Sequence, residues 1–207
     1  MHQLGILLAA GYGRRFQALQ AQGNKLLAPL ENNRSVAATS LHNLRQAVDH
    51  VIVVIRPDSP ELYEQLAQPN CTIVESELAH TGMGASLADA ARAALQHYTP
   101  SPKATVLVAL ADMPCIPTQC FQQVQHALQT RPIAAPLYQG ERGHPVGFQW
   151  HLLPELATLS GDEGARSLLQ RHGIQLLPCD DAGVCFDIDE PDDLQHPTLH
   201  SFLRSHT

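Results

Sequence analysis

At 207 residues the chain is long enough for one domain with a full core and too short for two of ordinary size. Hydrophobic content of 44% against 16% charged residues excludes the disordered class. A formal charge of -7 argues against a long nucleic-acid footprint, which needs a dense basic surface to displace counterions.

The first predicted element is a strand over Gly5 to Leu8. It opens directly from Met1, His2 and Gln3 with no basic segment and long apolar stretch of a leader. No window reaches the roughly eighteen apolar residues of a membrane span, so the expectation is a cytoplasmic protein with no membrane partner. The strand runs into Leu8-Ala9-Ala10-Gly11-Tyr12-Gly13-Arg14-Arg15. Small residues at a strand's carboxyl end leave backbone N–H groups open, and with two guanidiniums beside them they suit a polyphosphate. Lys25, one of only two lysines with Lys103, follows as a point charge for phosphate.

Helical spacing over Val36 to Ala47 leads to a strand at His50 to Ile55, which ends in Arg56-Pro57. No acidic residue closes this second strand, and Phe16 fills the third glycine position of the first loop. The dinucleotide fingerprint is therefore rejected, and a nicotinamide enzyme with it.

A helix over Ser59 to Leu66, a strand at Cys71 to Val74, a helix over Gly84 to His97 and a strand at Thr105 to Leu110 continue the alternation. The fourth strand discharges into Ala111-Asp112-Met113-Pro114, leaving a carboxylate on the same sheet edge as the glycine loop. Asp112 is a magnesium-ligand candidate, because Mg2+ needs only one or two protein carboxylates besides substrate phosphates.

A helix over Pro117 to Leu128 and a strand at Ile133 to Ala135 complete a βα alternation that predicts a mostly parallel sheet. Residues 1–138 form a nucleotide-binding half, and residues 139–207 an acceptor-binding and capping half of the same single domain. In the second half we expect an extended piece at Pro145 to Gln149, short helices from Leu152 and Gly164, and strands at Ile174 to Leu177 and Phe186 to Ile188. Alternation in that last segment puts Asp187 and Asp189 on one face, a second carboxylate source for the metal. None of the five cysteines, Cys71, Cys115, Cys120, Cys179 and Cys185, forms a C-x-x-C pair, so reduced buried thiols are expected.

These residues resemble the MobA-like nucleotidyltransferases of molybdenum-cofactor maturation. The resemblance rests on six ordered motifs: the glycine loop with Arg15 and Lys25, Gly82-Met83-Gly84-Ala85-Ser86-Leu87, Leu110 to Pro114, Arg142-Gly143-His144-Pro145-Val146, Gly161-Asp162-Glu163-Gly164-Ala165-Arg166, and Asp187-Ile188-Asp189. It implies an α/β, Rossmann-like three-layer nucleotidyltransferase fold with a mostly parallel central sheet.

The resemblance also implies roles. The loop with Arg15 and Lys25 holds an NTP triphosphate, Asp112 and Asp189 bind magnesium, and Gly82, Gly84 and Ser86 recognise the base. Arg142, His144, Asp162 and Arg166 face the acceptor, a molybdopterin-type phosphate, with the two arginines as anion clamps. Family members that use CTP resemble this chain in having Ala-Ala-Gly, while guanylyl-transferring members carry Ala-Gly-Gly, so Ala10 favours CTP. A molybdoenzyme or its chaperone is an expected downstream partner.

The chain departs from the pattern in Gly13, where many relatives have serine, in Phe16, and in a long Arg15 to Lys25 stretch. Alternative readings are guanylyl transfer to the same acceptor, transfer to a sugar or alditol phosphate, and a nucleotide-binding delivery partner without chemistry. The Arg-Gly-His-Pro segment opposes the sugar reading, and the joint presence of Lys25, Asp112 and Asp189 opposes the non-catalytic one.

Overall fold

A computed structural model describes residues 3–19, 23–31, 33–161 and 164–205. In chain order the elements are β1 (Gln3–Leu8), α1 (Arg14–Leu19), α2 (Val36–Arg45), β2 (His50–Ile55), α3 (Pro60–Leu66), β3 (Cys71–Glu75), α4 (Met83–His97), β4 (Thr105–Leu110), α5 (Thr118–Ala127), β5 (Ile133–Tyr138), β6 (Glu141–Arg142), β7 (Val146–Gln149), α6 (Leu153–Leu156), α7 (Arg166–His172), β8 (Gln175–Pro178) and α8 (Pro197–Ser205).

Eight strands form one sheet in the order β3-β2-β1-β4-β7-β5-β6, with β8 alongside β5. The pairs among β1 to β4 are parallel, as is β5 with β8. Strand β7 runs antiparallel to both β4 and β5 and so joins the two halves.

The continuous apolar runs of the central strands follow from burial on both faces. Successive side chains of a strand point to opposite sides. Leu7, Val53 and Leu107 therefore enter one core with Leu41 and Leu44 of α2, Leu62 of α3 and Phe121 of α5. Leu4, Ile6, Ile52 and Val106 enter the other with Leu87 of α4, Leu153 of α6 and Leu168 of α7. The result is the expected three-layer α/β/α arrangement.

A third cluster lies at the chain's end and has no counterpart in the sequence expectations. Phe16, Leu30, Val36, Cys115, Ile188, Leu199, Phe202 and Leu203 pack together, tying α1 to α8. The extended strand expected at Phe186 to Ile188 is absent: these residues are irregular, held where Ile188 N–H donates to the Asp112 carbonyl at 2.9 Å. Its apolar residue is satisfied by the cluster and not by a sheet face. All five cysteines are free thiols, with Cys115 and Cys120 buried and the others half-buried. Among the described residues no helix is long and apolar enough to cross a membrane.

Candidate active site

Strand register sets the site. Leu8 lies opposite both Val54 and Leu110, so β1, β2 and β4 end at one level. The chain beyond each tip is still hydrogen-bonded to its neighbour, Ala9 N–H to the Val54 carbonyl and Ala111 N–H to the Leu8 carbonyl. The glycine loop, Arg56 and Asp112 are thereby delivered to one edge, where ligands of open α/β sheets bind.

Two side chains bring in the remaining charges. Phe16, 2% exposed, anchors the start of α1 in the terminal cluster, to which Ile188 also belongs. Their chain neighbours Arg15 and Asp189 meet as an ion pair at 2.5 Å. Because Ile188 is also hydrogen-bonded at the tip of β4, Asp189 and Asp112 converge on Lys25. The Lys25 ammonium lies 2.7 Å from Asp112 and 3.3 Å from Asp189. Asn24, whose side chain accepts from Leu26 N–H, starts the short 3-10 turn that carries this lysine inward.

Burial by itself would lower the Lys25 ammonium, but Asp112 and then Asp189 outweigh it and hold it above its ordinary value. Asp189 is held below the carboxylate range despite the opposing effect of burial, through its bonds to Arg15 and Lys25. Asp187 has an open face, yet packing on its other side and the charges of Asp112 and Asp189 raise it, against the pull of Lys25.

A hard cation fits this donor set, since Asp112 and Asp189 already share a cation in Lys25. Among the described residues no group of three or more His, Cys, Asp and Glu side chains gathers into a cation cage. A metal here would take its other ligands from substrate phosphates and water, as magnesium does.

A cavity of about 440 Å3 opens over the sheet edge. The expected Leu8, Ala10, Gly11, Gly13, Lys25, Gly82, Ser86 and Asp112 line it, together with Tyr12, His80 and Met83, which the motifs do not single out. Ala9 is buried and serves as a strand-end spacer. Gly13 adopts φ 57, the left-handed region that favours glycine and penalises serine. Gly84 is needed for another reason: its N–H donates to the Gly161 carbonyl at 2.9 Å, and a Cβ there would come within 2.7 Å of the Gly161 and Ser160 carbonyl oxygens. That close approach pins the start of α4 to the loop leading to Gly164 and Arg166. Arg14 heads α1.

A second cavity of about 360 Å3 adjoins the first, with Leu8 and Met83 lining both. Arg142, His144 and Arg166, separated by up to two dozen residues in sequence, all line it against the apolar wall of Leu87, Val146 and Phe148. Both arginines are exposed. His144 is held by its own N–H donating to the Val184 carbonyl at 2.8 Å, and its ring is pushed down to about 4, first by burial and further by Arg142, against a hydrogen bond to the Val108 carbonyl. The imidazole is neutral at physiological pH, and its Nδ1 is buried with no protein partner. Asp162 lies outside the described residues.

Comparison with known proteins gives the family and its relatives. Residues 5–176 match the model of the MobA-like NTP transferase domain. The chain is similar to the purine catabolism protein PucB of Bacillus subtilis, 27% identical over 200 residues, covering 92% of this chain and 93% of that protein. It is also similar to the molybdenum cofactor cytidylyltransferase of Escherichia coli, 25% identical over 189 residues and covering 91% of each. Among solved structures, Rv0371c of Mycobacterium tuberculosis H37Rv is 26% identical with a TM-score of 0.75, covering 94% of this chain and 96% of that one. The same protein in complex with manganese is 25% identical with a TM-score of 0.71, covering 97% and 100%.

Proposed function

The chain belongs to the MobA-like NTP transferase family, and on that premise we propose that it transfers CMP from CTP to the phosphate of a molybdopterin-type acceptor with release of pyrophosphate. The observation that carries the proposal is the pair of adjoining cavities. One is lined by the glycine loop, Lys25 and Asp112, with Asp189 bonded to Lys25 beside it, and the other is lined by two exposed arginines on an apolar floor. A nucleotide and a flat heterocycle bearing a phosphate match these two chemistries.

In this reading the loop N–H groups and the Lys25 and Arg15 side chains receive the triphosphate. Arg142 and Arg166 hold the acceptor phosphate so that one of its oxygens faces the α-phosphorus. The attacking oxygen forms the new P–O bond as the bond to the β-phosphate breaks, and the leaving pyrophosphate carries its charge beside Lys25 and Arg15. Asp112 and Asp189 would hold magnesium, which supplies charge neutralisation on the phosphate oxygens when bound. Support for a divalent ion comes from the relative described with manganese. No covalent enzyme intermediate is needed.

Two observations favour CTP and this acceptor. Ala10, 4% exposed, is among the residues lining the nucleotide cavity, and alanine in place of glycine at this position leaves less room for a purine. The molybdenum cofactor cytidylyltransferase is among the similar proteins. The test is label transfer: with α-labelled CTP and molybdopterin, label should appear on the pterin, and with γ-labelled CTP it should appear only in pyrophosphate. Label that stays in CTP with this acceptor present would sink the assignment.

A further inference from the structure

Arg56 stands at the tip of β2 outside both cavities, and its sequence neighbourhood marks it only by the missing acidic residue of a dinucleotide fold. Its side chain is nevertheless only 12% exposed and makes three contacts. Nε donates to Asp58 Oδ1 at 3.0 Å. One terminal nitrogen donates to the Gly11 carbonyl at 2.7 Å. The guanidinium carbon lies 4.5 Å from the centroid of the Tyr12 ring.

We propose that Arg56 is a positioning residue of the nucleotide site, fixing the Gly11–Tyr12 peptide and the Tyr12 ring in the geometry that receives the NTP. The inference rests on the nucleotidyltransferase reading and deepens it. A trans peptide is planar, with its N–H directed opposite to its C=O. Holding the Gly11 carbonyl on a group outside the cavity therefore turns the Tyr12 N–H the other way. Gly11 and Gly13 flank this unit without side chains of their own, and the Arg56 bond adds a restraint on the Gly11 carbonyl from outside the loop. Tyr12 lines the nucleotide cavity and is 38% exposed, which gives the base an aromatic surface. The cation–π contact keeps that ring in place.

A lysine at position 56 keeps the charge but not the planar fork that serves Asp58, Gly11 and Tyr12 together. Restraint and mere positive potential therefore give different outcomes.

The experiment is equilibrium binding of CTP and of inorganic tripolyphosphate to the full chain, with Arg56→Lys, Arg56→Gln and Asp58→Asn beside the wild type, each checked by circular dichroism. Asp58 is 75% exposed, so its variant keeps the test open should an Arg56 variant misfold. We expect both Arg56 variants to weaken CTP by about tenfold, roughly the cost of one charge-assisted bond with its stacking. Asp58→Asn should shift CTP binding the same way by a few-fold. In turnover the loss should fall on KM for CTP, with kcat within about twofold. Full retention of CTP affinity in Arg56→Lys would reduce the role to charge and overturn the inference, as would unchanged affinity in all three variants. Absence of nucleotide binding by the wild type would overturn the underlying reading instead.

Discussion

The two cavities share Leu8 and Met83 but use charge in opposite ways. At the nucleotide cavity the cation is compensated: Lys25, which lines it, is bonded to Asp112 and Asp189, and Arg15 closes on Asp189 beside it. In the acceptor cavity the arginines are exposed, the floor is apolar and the one histidine is neutral. The difference separates two tasks. On the proposed reading, charge that develops on the triphosphate is met by groups held in place before it arrives, whereas the attacking acceptor phosphate is met by exposed clamps beside an apolar wall.

The largest way to break the comparison is Asp112→Ala. It removes the carboxylate that orients Lys25, and turnover should fall by about a thousandfold or more while the circular dichroism spectrum is kept. Normal kinetics would remove Asp112 from the machinery.

Next comes the pH dependence of stability around His144. Its folded pKa of about 4 lies below the ordinary 6.5, so the unfolded chain takes the proton first. The contribution is complete above pH 6.5 and is lost as pH falls toward 4, by at most about 3 kcal/mol. Denaturant titrations from pH 7 to 4 should show that slope, and His144→Gln should flatten it. An equal slope in the variant would place the proton uptake elsewhere.

Smaller still are Arg142→Ala and Arg166→Ala, each expected to raise KM for the acceptor by about tenfold with CTP affinity untouched. A parallel loss of CTP affinity would erase the division between the cavities. The finest contrast is Ala10→Gly, which should raise the GTP-to-CTP ratio of kcat/KM by less than about tenfold, the scale of one methyl in a pocket. An unchanged ratio would remove Ala10 from base selection.

Much of this design is legible in the chain because buried parallel strands are apolar throughout. His50–Ile55 and Thr105–Leu110 stand in the structure with the predicted bounds. Asp112 is legible for the same reason, as the first charged residue past such a strand. The short elements are not. Helix α1 spans six residues with Phe16 the one buried anchor among its described side chains, too few turns to show a period, and β6 is two residues long. In the motif reading Phe16 marks only a missing glycine, whereas in space it packs in the cluster that also holds Ile188, and the chain neighbours Arg15 and Asp189 pair. That relation joins residues 174 positions apart and leaves no local pattern. Arg56 is invisible for the opposite reason: besides nearby Asp58, its partners are a backbone carbonyl and a ring face, which no spacing rule records.

The most direct test of the central claim is pyrophosphate release by the purified chain with magnesium and molybdenum-bearing molybdopterin, with CTP, GTP, ATP and UTP supplied in separate reactions. The account predicts release with CTP and little with the other three. Release with GTP in place of CTP would move the reading to guanylyl transfer, and silence with all four would contradict it.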